Sequence, residues 1–225
     1  LVNNVFRKQG KAMGYRLSLL EKSPLDDHED AAGALRRTLE LAQKAERWGY
    51  HRFWLAEHHN TDKLAISSPE IVIAWILAHT RQLRVGSGGV MLQHYSPFKV
   101  AENFNQLASL APGRVDLGIG KAPGGLPLST HALQYAVDPA RKGDFAEQLR
   151  QLDDWLSVPV RGHGDDRLSV TPQPPQPASR FLLGASEQSA RLAASLGWNF
   201  VFAAHLNADE RDISRALSAY SHDSN

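Results

Sequence analysis

Two histidines and a glutamate stand together in the run Trp54-Leu-Ala-Glu57-His58-His59-Asn60. A histidine can exchange a proton near neutral pH, so Glu57, His58 and His59 could carry acid–base chemistry. The same residues could instead cap a strand and bond their neighbours. A metal site is disfavoured, because adjacent strand residues point to opposite faces and the two histidines would not converge on one ion. On these residues alone, the catalytic and structural interpretations both stay open, and no metal is predicted.

Glycines cluster further along, in Val85-Gly-Ser-Gly88-Gly89-Val90-Met91-Leu92. Without side chains, Gly88 and Gly89 would let a flat ring lie against the backbone, with Val90 beside it. An ordinary glycine-rich strand end is an equally good interpretation.

A third run, Gly118-Ile-Gly120-Lys121-Ala-Pro123-Gly124-Gly125, contains the Gly-x-Gly of dinucleotide folds. The prolines and glycines that follow prevent an immediate helix, and the acid expected to bind ribose is absent, so a dinucleotide site is a weak interpretation. Lys121 could neutralise a phosphate, or it could be a solvated surface lysine.

The best candidate anion site is the run Leu182-Leu-Gly184-Ala185-Ser186-Glu-Gln-Ser189, which leads from a strand into a helix. Free backbone N–H groups and the positive end of the helix dipole favour a phosphate there. Ser186 and Ser189 can add hydroxyl donors, although Ser186 alone could be a simple N-cap.

The elements that position these runs follow a βα pattern, in which short apolar runs alternate with helix-period segments. The predicted strands are Tyr15–Leu20, Arg52–Leu55, Leu83–Ser87, Val115–Gly120, Phe181–Gly184 and Phe200–Ala203. The candidate residues lie at strand ends, where βα barrels gather their active sites. A closed (β/α)₈ barrel has eight strands in ~250 residues, so six βα units predict an α/β barrel that is incomplete at its C-terminus.

Composition supports one domain of 225 residues, 42% of them hydrophobic. We assign residues 1–12 to an N-terminal extension and residues 13–225 to a single barrel domain, with a Pro/Gly-rich excursion at residues 158–178 that holds a small hairpin near residues 168–170. A net charge of +1 argues against nucleic acid, and the longest apolar stretch, Ile71–Ala78, is too short for a membrane span. With no cysteine and no signal-type N-terminus, we expect a cytoplasmic protein.

Taken together, the motifs resemble the bacterial-luciferase-like flavin monooxygenases, particularly their MsnO8-type branch. The likeness runs from about Tyr15 to about His205. The motifs that carry it occur in register at residues 54–60, 86–92, 112–120, 122–125 and 182–186.

This resemblance implies a TIM (β/α)₈ barrel that binds reduced FMN, supplied by a separate flavin reductase, and uses O₂ to oxygenate a small organic substrate. It also implies a homodimer. The alternatives are a flavin-binding protein without catalysis and an oxidoreductase that uses F420, which the resemblance favours less than FMN. A metal-dependent hydrolase is the weakest candidate.

Carried over by position, the resemblance implies that His58 is the active-site histidine, with Glu57 and His59 beside it. Gly88-Gly89 matches a non-prolyl cis peptide against the flavin ring, next to Val90.

The resemblance also assigns a phosphate site. Lys121 stands where relatives commonly have an arginine, so the charge is kept but the bidentate fork is lost. Gly184, Ala185, Ser186 and Ser189 match the phosphate-binding turn. Gly120 replaces the cysteine that lies next to the flavin in luciferases, which argues against light emission.

Overall fold

The computed structural model describes residues 14–224, and nearly all of its strands belong to one parallel sheet. The strands are β1 (Ser18–Glu21), β2 (Arg52–Leu55), β3 (Arg84–Ser87), β4 (Val90–Met91), β5 (Val115–Gly120), β6 (Val160–Arg161), β7 (Leu168–Ser169), β8 (Ser179–Gly184) and β9 (Asn199–Phe202). The order in the sheet is β1-β2-β3-β5-β8-β9, and β4 pairs with the end of β5.

Helices connect successive strands of this sheet. They are α1 (Ala31–Arg47), α2 (Pro69–Ala78), α3 (Pro97–Leu110), α4 (Pro127–Leu133), α5 (Pro139–Lys142), α6 (Phe145–Ser157), α7 (Glu187–Ser195) and α8 (Glu210–Asp223). Several begin at a side-chain cap: Asp30 accepts from the Gly33 N–H, and Asp144 and Glu147 form a reciprocal capping box.

Strand side chains alternate between a helix-covered face and an inner face. The helix-covered face is almost fully buried and includes Phe53, Leu55, Val85, Leu117 and Leu182. These side chains pack in one cluster with residues of α2 and α3, such as Ile73 and Phe104. The inner face is therefore the one left to line the lumen of the curved sheet.

A buried ionic layer fills the lumen at the N-terminal ends of the strands. Asp116 is fully buried and accepts hydrogen bonds from Arg52 Nε at 2.6 Å and Arg84 Nη2 at 2.5 Å. The Arg52 guanidinium also lies over the rings of Trp54 and Phe181, 5.1 and 4.6 Å from their centroids. This layer closes one end of the lumen and leaves the C-terminal strand ends as the accessible mouth.

The parallel α/β architecture predicted from the sequence is confirmed. The bounds of β2 and β5 match the prediction, whereas β1 begins at Ser18 rather than Tyr15. The predicted hairpin in the Pro/Gly-rich excursion is present as β6 paired antiparallel with β7, but α4 and α5 were not predicted. Closure into eight strands stays a prediction, and the proposed extension at residues 1–12 lies outside the described residues.

Within residues 14–224, no helix has the length and apolar character needed to cross a membrane.

Candidate active site

The predicted site residues gather at the C-terminal ends of neighbouring strands. Residues 57–59 follow β2, the Gly88-Gly89 pair joins β3 to β4, and Lys121 follows β5. The turn at residues 184–189 follows β8, beside β5. Because parallel strands end at the same edge, the chain brings these segments to one mouth.

The glycine pair forms a bulge in the floor of this mouth. Gly86 pairs with Asp116 and Val90 with Ile119, so β3–β4 has one more residue than β5 across the same stretch. The Gly88–Gly89 peptide bond is cis, as the resemblance implied. A Cβ on Gly89 would lie 2.9 Å from Gly118 O, so this close approach requires glycine. The floor therefore presents bare backbone.

His58 lies at the lumen side of the mouth. Its Nδ1 atom is shielded from solvent and has no hydrogen-bond partner among the described residues. Burial lowers the pKa of His58, and electrostatic interaction with Lys22 and His205 lowers it further. A neutral imidazole with a free ring nitrogen can accept a proton or a hydrogen bond from a ligand.

The ring contact between Trp54 and Phe181 shows that the sheet is curled. Phe181 lies on β8, which is three strand spacings from β2 in the sheet order, or about 14 Å in a flat sheet. The two ring centroids are 5.1 Å apart, so the inner faces of these strands approach each other across the lumen. The observed architecture is thus a half-barrel.

Glu57 and His59 lie on the opposite face, away from the lumen. Glu57 is 1% exposed, and its Oε2 lies 2.9 Å from His59 Nε2. The same oxygen accepts from Tyr95 Oη at 3.2 Å and from the Met91 N–H at 3.3 Å. The sequence predicted opposite faces for the two histidines, and the structure accordingly separates His58 from the Glu57–His59 pair.

Burial dominates the protonation of this pair. It raises the pKa of Glu57 to about 8, and the nearby Glu70 carboxylate contributes to the rise. Burial and the neighbouring His94 and His58 lower the pKa of His59. Near neutral pH, Glu57 is therefore a carboxylic acid that donates to a neutral His59 imidazole while accepting from Tyr95.

The loop that contains Gly124 and Gly125 packs against residues 57–59 and holds them in place. The His59 N–H donates to Gly124 O at 2.8 Å, and a Cβ on Gly124 would lie 3.1 Å from Glu57 O. A Cβ on Gly125 would lie 2.8 Å from His59 O. Side chains at these positions would push the loop away, which explains the glycine pair after Pro123.

The candidate phosphate site has partly the predicted form. The Ser186 side chain caps α7 by accepting from the Ser189 N–H, and the two hydroxyls are 3.1 Å apart. The first intrahelical bond runs from the Ala190 N–H to Ser186 O, so the earlier first-turn amides face outward. A Cβ on Gly184 would lie 2.5 Å from Ser189 Cβ, so glycine lets the turn close.

Lys121 and Ala185 flank this turn, whereas Val90 does not face the site. Gly120 pairs with Leu183, so exposed Lys121 lies one residue beyond the neighbouring strand end, near Ala185. The Val90 side chain is 3% exposed and packs in the hydrophobic core. The predicted contact between the Val90 side chain and a cofactor is therefore not supported, and only the Val90 backbone borders the floor.

Sequence reasoning missed Tyr95 and Glu70, and it gave His94 no role beyond that of an isolated histidine without metal-ligand spacing. Buried His94 places Nε2 2.6 Å from Pro123 O and Nδ1 3.0 Å from Gln134 Nε2, so it ties the glycine loop to α4. Glu70 sits in the first turn of α2, where an acid is expected for the helix dipole alone. No local signal separates these residues from ordinary ones, because only long-range packing brings them to the site.

Among the described residues, no group of three or more histidine, aspartate or glutamate side chains could hold a metal ion.

Comparison with known proteins gives consistent matches. A family model described as luciferase-like monooxygenase matches residues 16–222. The chain is 46% identical over 213 residues to the N-acetyl-S-alkylcysteine monooxygenase of Bacillus subtilis strain 168, covering 91% of this chain and 61% of that protein. The chain thus spans about three-fifths of the length of this curated relative.

Solved structures show the same fold. The crystal structure of apo-MsnO8 is 41% identical, with a TM-score of 0.81, covering 92% of this chain and 60% of that one. The oxygenating constituent of the 3,6-diketocamphane monooxygenase of Pseudomonas putida, in complex with FMN, is 19% identical, with a TM-score of 0.72, covering 94% and 63%. An F420-dependent secondary alcohol dehydrogenase is 19% identical, with a TM-score of 0.62, covering 94% and 65%. The last two similarities concern the fold.

Proposed function

The chain belongs to the luciferase-like monooxygenase family, and we propose that it is a flavin-dependent monooxygenase that uses reduced FMN and O₂ to oxygenate a small organic substrate. The observation that carries this proposal is the bare backbone floor at Gly88 and Gly89, with the free Nδ1 of His58 at the same mouth. A flat ring needs such a surface, and proton transfer needs such a nitrogen.

The residues present fit FMN. The isoalloxazine ring would lie on the backbone of Gly88 and Gly89. The phosphate would bind the outward amides and hydroxyls of the turn at Ser186 and Ser189, with Lys121 supplying a positive charge. When bound in its reduced form, FMN supplies the electrons that activate O₂.

We assign the proton-handling role in the lumen to His58. Its lowered pKa keeps the imidazole neutral near pH 7, so Nδ1 can take a proton and later return it. Trp54, beside the glycine floor, is 8% exposed and helps to exclude water from this region. Glu57 and His59 support the site from the opposite face.

The proposal extends to partners. A separate flavin reductase would supply reduced FMN, and the chain would form a homodimer. N-acetyl-S-alkylcysteines are the first substrates to assay, because the Bacillus subtilis relative is named for them.

Flavin titration tests the proposal. The fluorescence of FMN should fall when FMN binds the protein, and the melting temperature of the protein should rise. In a competition experiment, FMN should displace F420. His58→Ala should lower turnover by about a hundredfold or more with little change in FMN affinity, as expected for loss of an acid–base group. His131→Ala, an exposed histidine on α4, is the matched control.

The outcomes separate the alternatives. Binding of FMN without oxidation of any substrate, with a reductase present, would indicate a flavin-binding protein without catalysis. Preference for F420 would indicate an F420-dependent oxidoreductase. The absence of any fluorescence or thermal response in folded protein would refute flavin binding altogether.

A further inference from the structure

The sheet is open on one side of the glycine floor. β2 and β3 pair from Arg52 to Leu55, and the last backbone hydrogen bond between them runs from the Gly88 N–H to Leu55 O at 2.7 Å. β4, which follows the floor, pairs with β5, and within residues 14–224 it has no pairing with β2. Beyond Gly88, the floor is therefore held as a strand only on its β5 side.

The Glu57 side chain fills this opening. It extends from the end of β2 toward β4, and its Oε2 accepts the Met91 N–H at 3.3 Å. In the part of the chain that the structure describes, this is the only hydrogen bond between residues 56–60 and residues 89–91. Both residues are buried, so bulk solvent is not an alternative partner for this N–H. The carboxyl thus stands where a neighbouring strand would otherwise accept from β4.

Two further groups fix the carboxyl. Tyr95 Oη donates to the same oxygen at 3.2 Å, and His59 Nε2 lies 2.9 Å from it. His59 is itself held, because its N–H donates to Gly124 O and its ring meets the His94 ring edge-on at a centroid distance of 5.8 Å. Because burial raises the pKa of Glu57 to about 8, the carboxyl is neutral near pH 7 and buries no charge. A side chain held by separate segments of the chain gives β4 a rigid point of attachment.

Met91 carries this attachment to the floor. A Cβ on Gly120 would lie 3.0 Å from Met91 Cε, and a Cβ on Gly124 would lie 3.1 Å from Met91 Cγ, so the Met91 side chain is packed against both glycines. Met91 follows Gly89 by two residues. Two peptide units are too short to absorb a shift, so a movement of Met91 moves the Gly89 backbone as well.

We propose that Glu57 is a positioning residue for the flavin, which holds the Gly88–Gly89 floor in place by bonding the Met91 N–H across the opening between β2 and β4. Glu57 does not touch the ring and acts through the Met91 backbone. This role differs from the acid–base role that the run of residues 57–59 suggested. Its benefit to the flavin rests on the proposed function, whereas the link between Glu57 and β4 is a property of the folded chain alone.

Amide hydrogen exchange at Met91, followed by NMR on the full chain without flavin, tests the link. Glu57→Leu keeps most of the buried volume but has no acceptor, so exchange of the Met91 N–H should become about tenfold faster, the order expected for one hydrogen bond. Glu57→Gln keeps an acceptor oxygen and should remain within about threefold of wild type. The Leu182 N–H, in β8, is the internal control, because a general loosening of the protein would speed both amides.

FMN binding provides the second readout. Glu57→Leu should weaken FMN affinity by about tenfold, and Glu57→Gln should restore it to near the wild-type value, a rescue that the filling of space alone does not predict. His58→Ala should behave in the opposite way, because it lowers turnover with little change in FMN affinity. Glu40→Leu, at an exposed site on α1, is the matched control and should leave both affinity and exchange unchanged.

The outcomes separate this proposal from the proposed function. Faster Met91 exchange and weaker FMN binding in Glu57→Leu, both restored in Glu57→Gln, support the positioning role. Exchange at the wild-type rate in folded Glu57→Leu overturns the link, and faster exchange without loss of FMN affinity overturns the positioning role. In both of these cases the proposed function stands.

Two further results are decisive. If the wild-type protein does not bind FMN, the proposed function fails and the positioning role fails with it, while the exchange rates still show whether the link exists. If Glu57→Leu does not fold, Tyr95→Phe decides, because it removes a bond that fixes the Glu57 carboxyl. Met91 exchange and the FMN dissociation constant should then both rise by about threefold, and wild-type values for both would overturn the proposal.

Discussion

Replacing Glu57 by glutamine should make the stability of the protein less sensitive to alkaline pH. Glutamine keeps the shape of the protonated carboxyl, and its Oε1 can accept from the Met91 N–H and the Tyr95 hydroxyl as Glu57 does. It cannot ionise, and the oxygen in this position cannot donate to His59, so in the variant His59 Nε2 must be the donor. The pH dependence of the difference between wild type and Glu57→Gln, rather than its absolute size, therefore reports the free energy of ionising a carboxyl at this buried position.

The magnitude follows from the raised pKa. In the unfolded chain Glu57 has its ordinary pKa of 4.5, and in the folded chain burial raises the pKa to about 8. Between these values the folded state retains a proton that the unfolded state has released, so the free energy of unfolding falls as pH rises. At about 1.4 kcal/mol per pH unit, the loss approaches roughly 5 kcal/mol. Because Glu57 is only 1% exposed, solvent screening reduces this free-energy difference little.

Urea unfolding at constant ionic strength measures this difference. The stabilising contribution is complete below pH 4.5 and lost above about pH 8, so the two proteins should diverge steadily from pH 5 to pH 8 in favour of Glu57→Gln. Other titrating groups are common to both proteins and largely cancel. When Glu70→Gln is added to both proteins, the pH range over which their stabilities diverge should become narrower, because Glu70 contributes to the raised pKa of Glu57.

A stability difference that stays constant from pH 5 to pH 9 would refute this reasoning. So would the opposite trend, in which wild type gains on Glu57→Gln as pH rises. That trend would mean that Glu57 is ionised near neutral pH and paired with a protonated His59.

Other variants test the layers that hold the site. Asp116→Asn leaves the partly buried Arg52 and Arg84 without their carboxylate and should lower the free energy of unfolding in urea by about 3 kcal/mol, whereas Asp138→Asn, at an exposed ion pair, should be nearly neutral. Gly118→Ala places a Cβ against Ser87 O, so the free energy of unfolding should fall by about 1–3 kcal/mol and thermal melting should show a lower melting temperature. An unchanged melting temperature would contradict the close packing of β3 and β5. Ser186→Ala removes the side-chain cap of α7, which should lower the free energy of unfolding by about 1 kcal/mol and weaken FMN binding in the fluorescence titration. Ser195→Ala, on the same helix, is the control and should leave FMN affinity unchanged.

The sequence predicted well what depends on local patterns. Apolar runs bounded by turn residues gave the sheet strands, with β2 and β5 at their observed bounds. The glycine pair Gly88-Gly89 marked a bare backbone segment, and close packing there requires glycine. A serine before a helix marked the Ser186 cap. These features depend on steric and hydrogen-bonding preferences within a few residues, which any homologous or unrelated chain would share.

The roles of the acid–base residues depended on packing instead. Strand alternation predicted that His58 and His59 point to opposite faces, but only the structure shows that His58 faces the lumen while Glu57 and His59 face the helices. Tyr95 and Glu70, which determine the environment of Glu57, are distant in sequence and carry no motif.

By itself, therefore, the sequence determined the family, the parallel α/β layout and the edge at which the site forms. Only the tertiary structure decided which histidine has a free nitrogen at the mouth and which carboxyl stays protonated. The physical reason is that strand alternation and capping are local, whereas desolvation arises from side chains that different elements bring together.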